Sequence, residues 1–85
     1  MTDKKTDNPY HPVSCELHSQ YELAIMHKNT LCLSWSEGGE VVIETDIIPV
    51  DIQTKNKAEY LVVKKQEQNK LFSIRLDHII KMQII

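Results

Sequence analysis

Cysteine and histidine are the residue types in this chain best suited to metal binding or nucleophilic chemistry. Cys15 and His18 lie close together in the sequence, and His27 and Cys32 follow. A structural zinc site needs closely spaced ligand pairs that converge on the ion. The first three of these residues belong to one predicted helix and spread over about three of its turns. We therefore expect no metal site and no cofactor.

A Cys–His pair could also form a nucleophilic site, but the rest of the sequence gives it no support. There is no Gly-rich phosphate loop, no Ser/His/Asp set with supporting context and no carboxylate pair of defined geometry. We predict that the protein is not an enzyme. A thiol or metal site at Cys15 and Cys32 is the weakest alternative, and it would show as stoichiometric zinc in the purified protein.

An amphipathic helix over about residues 14–28 is the element that positions most of these side chains. Its apolar residues recur at helical spacing and form one face to be buried. They are Leu17, Tyr21, Ala24 and Ile25. Ser14 is suited to cap the start of the helix, and Glu16 lies in the first turn, where the helix dipole favours a carboxylate.

After the helix, the hydrophobic pattern changes to alternation, which predicts strands. Five are expected, at about residues 31–36, 40–48, 58–66, 70–76 and 79–84. Pro49 is expected to limit the second strand, and residues 50–57 are expected to form a polar connection. The residues predicted to point inward from the second and fifth strands are Val41, Ile43, Thr45, Ile47, Ile80, Met82 and Ile84.

One helix followed by five short antiparallel strands is the order of an Sm-like or SH3-like barrel. The predicted fold class is therefore mainly β with one N-terminal α-helix and a strongly bent, Sm-like five-stranded barrel. At 85 residues the chain makes one domain, expected over residues 10–85 behind a flexible tail at residues 1–9. No apolar run is long enough to span a bilayer, so we expect a cytoplasmic protein with reduced thiols.

Charge is distributed unevenly along the sequence. Residues 1–53 carry a net charge of −6, whereas residues 54–85 carry +4, and there is no Lys or Arg between Tyr10 and His27. A negative surface repels nucleic acid and attracts basic grooves on proteins. We expect such a surface around the helix, unless the two parts of the chain interleave in the fold and their charges average out.

Small barrels often bind single-stranded nucleic acid through basic grooves and stacked aromatic side chains. Four of the five aromatic residues are expected in the core, which leaves Tyr10 to stack. The four are Tyr21, Trp35, Tyr60 and Phe72. A single-stranded RNA-binding protein that uses its basic C-terminal part is therefore kept as the alternative to a protein-binding regulator.

Several short motifs follow one another in an order and spacing that are more specific than any one motif. They are Tyr10-x-Pro12, Cys15-Glu16, Glu22-Leu23-Ala24, Glu59-Tyr60-Leu61-Val62-Val63 and Arg75-Leu76-Asp77-x-Ile79. Through them, residues 10–80 resemble the Rho-inhibiting antiterminator family, Rof. The resemblance implies a bacterial cytoplasmic protein with an Sm-like barrel behind an N-terminal helix. Such proteins bind the transcription termination factor Rho at the OB-fold domains that capture RNA, and so prevent termination.

The resemblance also implies which residues contact Rho. The helix and the segment before it would occupy a groove built to hold phosphates. The residues expected at this contact are Tyr10, His11, Cys15, Glu16, Ser19 and Glu22, with a polar, basic loop formed by Lys55, Asn56 and Lys57. Leu17 and Ser19 stand where the family pattern has carboxylates, so the helix is expected to act by shape as well as by charge. We expect a monomer that binds neither nucleic acid nor membrane directly.

Overall fold

The computed structural model describes residues 11–85 and consists of one helix followed by five strands. The elements are α1 (Cys15–Met26), β1 (Leu31–Glu37), β2 (Glu40–Lys55), β3 (Ala58–Lys65), β4 (Leu71–Arg75), a 3-10 turn (Leu76–His78) and β5 (Ile79–Ile84). The predicted tail at residues 1–9 and the predicted contact residue Tyr10 lie outside the described range.

The five strands form a single antiparallel sheet in the order β4-β3-β2-β1-β5. The long strand β2 bends the sheet, because its first half pairs with β1 and its second half pairs with β3. The sheet is not closed: within residues 11–85, the edge strands β4 and β5 do not pair with each other. The predicted mainly β fold, with one N-terminal helix and a strongly bent antiparallel sheet, is confirmed.

The helix α1 begins at the predicted serine cap. Ser14 is extended, with ψ of 155°, and its Oγ accepts a hydrogen bond of 3.1 Å from the backbone N–H of Leu17. This bond satisfies one of the N–H groups that a helix start leaves without a partner. The predicted apolar face is also observed, since Tyr21 and Ala24 are buried and Leu17 and Ile25 pack against the core.

The other end of α1 closes with a Schellman motif. The N–H of Lys28 donates to the carbonyl of Ile25, and the N–H of Asn29 donates to the carbonyl of Ala24. The residue that makes this turn is Lys28, with a φ of 55°. Glycine usually occupies that position because it has no Cβ to strain the left-handed backbone.

The core lies between α1 and the inner face of the bent sheet. Its fully buried large side chains are Tyr21, Leu31, Leu33, Ile47, Leu61, Val63 and Leu76. Trp35 is 6% exposed, and its ring centroid lies 6.2 Å from that of Phe72. The alternation predicted for β1 and β4 therefore buries the Trp35 ring and packs the half-buried Phe72 ring against the core.

A one-residue insertion in β2 overturns the prediction that Val41, Ile43 and Thr45 point inward. Leu31 pairs with Ile47 and Leu33 pairs with Glu44, so two steps along β1 match three along β2. Asp46 absorbs the additional residue with a φ of 59°. A single inserted residue reverses which side chains face the core. As a result, Ile47 is buried as predicted, whereas Val41 and Ile43 are 61% and 66% exposed and Thr45 is exposed.

The strand β2 also continues past Pro49 to Lys55, where the sequence pattern predicted a connection. Pairing with β1 ends at Ile47, so the proline, which lacks an N–H, falls where β2 pairs only with β3. The register with β3 shifts between Pro49 and Asp51. Proline is tolerated at such irregularities because no regular ladder hydrogen bond depends on it.

A second irregularity changes the face of β5. Ser34 pairs with Lys81 and Trp35 with Ile79, so Ile80 is an additional residue. Met82 packs against the core as predicted, but Ile80 is 58% exposed. Ile84, also predicted to point inward, is exposed near the end of the sheet.

Candidate partner-binding surface

The segment before α1 is held in place by a carboxylate from the far end of the sequence. The N–H of His11 donates to Asp77 Oδ2 at 3.1 Å, and Arg75 donates to both oxygens of Asp77, at 2.9 and 2.7 Å. Burial alone raises the pKa of Asp77, but the hydrogen bonds from Arg75 and His11 and the charges of Arg75 and His78 lower it overall. This ion pair therefore fixes the position of His11, a predicted contact residue.

The predicted contact residues of α1 lie on its exposed face. They are Cys15, Glu16, Ser19 and Glu22. Because the opposite face is anchored by Tyr21 and Ala24, the helix cannot rotate these side chains inward without exposing the core. The helix start therefore presents two carboxylates and two small polar side chains to solvent.

The predicted basic loop is a tight two-residue turn between β2 and β3. Lys55 pairs with Ala58 across the turn, and Asn56 and Lys57 have φ values of 52° and 64°. Positive φ at both central residues is typical of a type I′ hairpin turn. Asparagine tolerates this conformation, but lysine pays a steric cost in it. The turn projects the exposed side chains of all three predicted residues from the end of the hairpin.

His18 brings the helix start and this turn together. Its Nδ1 lies 3.6 Å from Glu22 Oε1 on the same helix, and its Nε2 lies 3.3 Å from Glu59 Oε2 on β3. Both contacts are ion pairs when the imidazole is protonated. Since Glu59 follows the turn at Lys57 by two residues, the helix start and the hairpin end lie side by side.

The N-terminal segment reaches the same end of the sheet. Tyr60 pairs with Arg75 across β3 and β4, so the Arg75–Asp77 pair that binds His11 lies beside Glu59. Three separate parts of the sequence thus converge at the beginning of β3. We call this set the N-terminal surface, and its members are His11, Cys15, Glu16, Ser19, Glu22, Lys55, Asn56, Lys57 and Glu59.

Two carboxylates near this surface were not predicted from the sequence. Glu59 joins it through His18, and Asp51 of β2 faces Glu22 of α1 across a shallow hollow of about 230 Å³. Neither has a local sequence signal, because each approaches α1 only through the bending of the sheet. The spacing of His18 and Glu22, four residues apart on a helix, is a signal that could have been used.

The acidic and basic parts of the sequence interleave only in part. Lys65 of the basic part pairs with Glu44 of the acidic part. Around α1, however, Glu59 adds to the carboxylates of Glu16 and Glu22 rather than neutralising them. The N-terminal surface therefore has carboxylates on the helix side and two lysines at the hairpin side.

A second hollow lies beside the hairpin turn. It has a volume of about 250 Å³ and is lined by Gln53, Lys55, Asn56, Tyr60 and Ser73. Tyr60 is half-buried and lines this hollow, so part of its side chain is available to a partner. This hollow gives the N-terminal surface a concave part next to its basic corner.

The two cysteines are free thiols in different environments. Cys15 is exposed at the helix start, and Cys32 is half-buried on β1. Within residues 11–85, no three Cys, His, Asp or Glu side chains come close enough together to hold a metal ion. The same part of the chain contains no helix that is both long enough and apolar enough to cross a membrane.

Comparison with known families gives one match that covers most of the chain. A family described as modulator of Rho-dependent transcription termination (ROF) matches residues 12–85. Neither the curated proteins nor the solved structures give a significant match.

Proposed function

The chain belongs to the ROF family of modulators of Rho-dependent transcription termination, and from this premise we propose that it inhibits Rho by docking on its RNA-binding OB-fold domain. In this proposal the N-terminal surface occupies the groove that captures RNA, and termination is prevented. The protein acts as a cytoplasmic, monomeric binding partner, and no catalytic step is involved.

The observation that carries this proposal is the convergence at the beginning of β3. All the described residues expected to touch Rho are exposed, and the His18–Glu59 contact and the Tyr60–Arg75 pairing bring their three segments together. A partner of ordinary size buries about 800 Å² on each side of an interface. The three segments of the N-terminal surface are close enough together to lie within one interface of that size, whereas segments scattered over the molecule would not be.

Charge supports a protein partner with a basic groove. Glu16 and Glu22 are exposed, and Glu59 and Asp51 lie close to them, so the helix side offers carboxylates where RNA would offer phosphates. Complementary charge raises the association rate and selects the partner more than it adds raw affinity. Binding is therefore expected to weaken as salt rises, since the Debye length falls from about 10 Å at 0.1 M salt to about 3 Å at 1 M.

The alternative, direct binding of single-stranded RNA, is not supported by the family match. The arrangement of the described aromatic rings also disfavours it. Tyr21 and Trp35 are buried, and Tyr60 and Phe72 are half-buried, so residues 11–85 present no row of exposed rings on which bases could stack. Fluorescence anisotropy with short single-stranded RNA is expected to show no binding at moderate salt.

Charge reversal on the helix tests the proposed contact. Glu16→Lys and Glu22→Lys are each expected to weaken binding to Rho by on the order of 1 to 3 kcal/mol. The matched control is Glu40→Lys, another exposed carboxylate, beside the β1–β2 turn. Isothermal titration calorimetry at two salt concentrations measures the affinities, and circular dichroism checks that each variant is folded.

Comparing the loss of Rho affinity in the three variants tests the docking surface separately from the identity of the partner. If both helix variants bind Rho as tightly as the unaltered protein, the acidic surface is not the contact, although Rho is still the partner. If Glu40→Lys weakens binding as much as the helix variants, only the net charge matters and the proposed docking surface is wrong.

A further inference from the structure

A groove of about 560 Å³ lies at the end of α1 that is away from the helix start. Its main lining residues are Ile25, Lys28, Ile48, Val50, Lys64 and Leu71. One wall is the last turn of α1, and the floor is the sheet. Pockets of about 300 to 1,000 Å³ are of the size that binds ligands or side chains of a partner.

The floor of the groove follows directly from the strand register. Ile48 pairs with Lys64, and Lys64 pairs with Leu71, so these three side chains form a row across β2, β3 and β4. Leu71 is 53% exposed and Val50 is 41% exposed, although both are apolar. The groove therefore keeps apolar surface in contact with water that a partner could cover.

Charge gives the groove a preference for anions. Lys28 and Lys64 both line it, and the described residues contribute no carboxylate to its lining. Neither lysine has an ion-pair partner within residues 11–85. A partner that covers the apolar floor would leave these ammonium groups without water unless it supplied negative charge.

Lys28 holds its place in the groove at a steric cost. It makes the left-handed turn of the Schellman motif at a φ of 55°, where glycine would fit without strain. A residue held in an unfavourable backbone conformation is a reason to look for a role outside folding. Because Lys28 lines an apolar groove, binding a partner there is such a role.

The two lysines of the groove lie away from the helix start and the hairpin turn, although Ile25 also borders the hollow beside Glu22. Lys64 lies seven residues along β3 from the turn at Lys57, which corresponds to about 23 Å. Lys28 lies beyond the end of the 12-residue helix whose start carries Glu16, a length of about 18 Å. Lys28 and Lys64 are therefore separated from Glu16 and Lys57 by roughly the length of α1.

We infer that this groove binds an apolar segment of a second protein partner that carries carboxylates beside its apolar side chains. The apolar row receives the side chains, and Lys28 and Lys64 pair with the carboxylates. Nucleic acid is disfavoured as the occupant, because the described lining contains no aromatic ring for base stacking and half of its floor is aliphatic.

A fluorescent peptide in which leucine and glutamate alternate serves as the probe, with a twin in which glutamine replaces glutamate. Fluorescence anisotropy is expected to show binding of the first peptide and about tenfold weaker binding of the second. Lys28→Glu combined with Lys64→Glu is expected to cause a loss of the same size. The control is Lys81→Glu, an exposed lysine on β5.

The apolar part of the groove is tested with a second matched pair. Leu71→Ser is expected to weaken peptide binding severalfold, whereas Ile43→Ser, at a similarly exposed position on the outer face of β2, is expected to have no effect. Lys28→Gly removes the side chain and relieves the backbone strain. Circular dichroism checks that this variant is folded, and loss of peptide binding by the folded variant then reports on the side chain.

Three results would overturn the inference. The first is equal binding of the glutamate and glutamine peptides, and the second is unchanged binding in the Lys28 and Lys64 double variant. The third is tighter binding of a single-stranded oligonucleotide than of the peptide, with this binding lost in the Lys28 and Lys64 double variant. That result would make nucleic acid the occupant of the groove.

Discussion

The two hairpin turns have nearly the same backbone but different residues, and exchanging them tests why Lys57 occupies its position. Gly38 and Gly39 make the β1–β2 turn at φ values of 59° and 84°, and Asn56 and Lys57 make the β2–β3 turn at 52° and 64°. Each turn has two residues between its paired strand ends. The substitutions to compare are Lys57→Gly and Gly38→Lys.

The expected sizes follow from backbone strain and chain entropy. A left-handed backbone costs a residue with a Cβ roughly 1 to 2 kcal/mol, and glycine loses about 0.5 to 1 kcal/mol more entropy on folding. Lys57→Gly should therefore leave the free energy of unfolding unchanged or raise it by up to about 1.5 kcal/mol. A Cβ at Gly38 meets nothing within 4 Å. Gly38→Lys should therefore lower the free energy of unfolding by a similar amount, and only through strain in the backbone.

Urea unfolding followed by tryptophan fluorescence measures both changes, because Trp35 is buried in the core. Calorimetry with Rho then asks whether Lys57→Gly weakens binding, as expected for a residue kept for contact rather than for folding. If Lys57→Gly destabilises the protein by more than about 1 kcal/mol, Lys57 has a structural role, and the expectation that its side chain is kept for contact with Rho is wrong.

Two further predictions concern the contacts that assemble the N-terminal surface. Asp77→Asn is expected to lower stability by about 2 kcal/mol at neutral pH, because it weakens two largely buried charged hydrogen bonds from Arg75. The pKa of Asp77 is lower in the folded state than its ordinary value of 3.8, so its contribution is complete above that value and is lost as the pH falls through the folded pKa. The free energy of unfolding, measured by denaturation at several pH values between 2 and 7, should therefore fall less steeply at the acidic end in the variant than in the unaltered protein. An equal fall in both proteins would contradict this role of Asp77. His18→Ala is expected to separate the helix start from Glu59, with a small stability loss of under about 1 kcal/mol because the pairs are partly exposed. Amide exchange should show faster opening near Cys15 in this variant but unchanged protection in β3, and uniform loss of protection would show that His18 holds the whole fold.

The elements of this fold were predictable where local chemistry decides them. The cap at Ser14, the apolar face of α1 and the alternation of β1 depend on neighbours in the sequence, and the structure shows each of them. The glycine pair at the first hairpin is a similar local signal.

The faces of β2 and β5 were not predictable, because each depends on one inserted residue. Aspartate is one of the residue types enriched in left-handed backbone, as at Asp46, but it also occurs in continuous strands, so its presence alone does not locate the inserted residue. One such residue moves Val41 and Ile43 from the core to the surface. Ile80 is a similar case, because only the pairing of β5 with β1 shows that it is an additional residue and faces outward.

The predicted contact residues came from a family resemblance, but their arrangement came from the fold. Separate segments of sequence contain His11, Glu16 and Lys57, and only the bent sheet brings them to one end. Glu59 belongs with them through His18, a contact between residues that are far apart in the chain. Such tertiary contacts leave no periodic signal in a single sequence.

Competition with RNA for Rho tests the central proposal most directly. Labelled C-rich single-stranded RNA bound to Rho is titrated with this protein and, in parallel, with the variant that combines Glu16→Lys and Glu22→Lys. The proposal predicts that the unaltered protein displaces the RNA and that the variant does so only at concentrations at least about tenfold higher. Retention of the RNA by Rho saturated with the unaltered protein would contradict it.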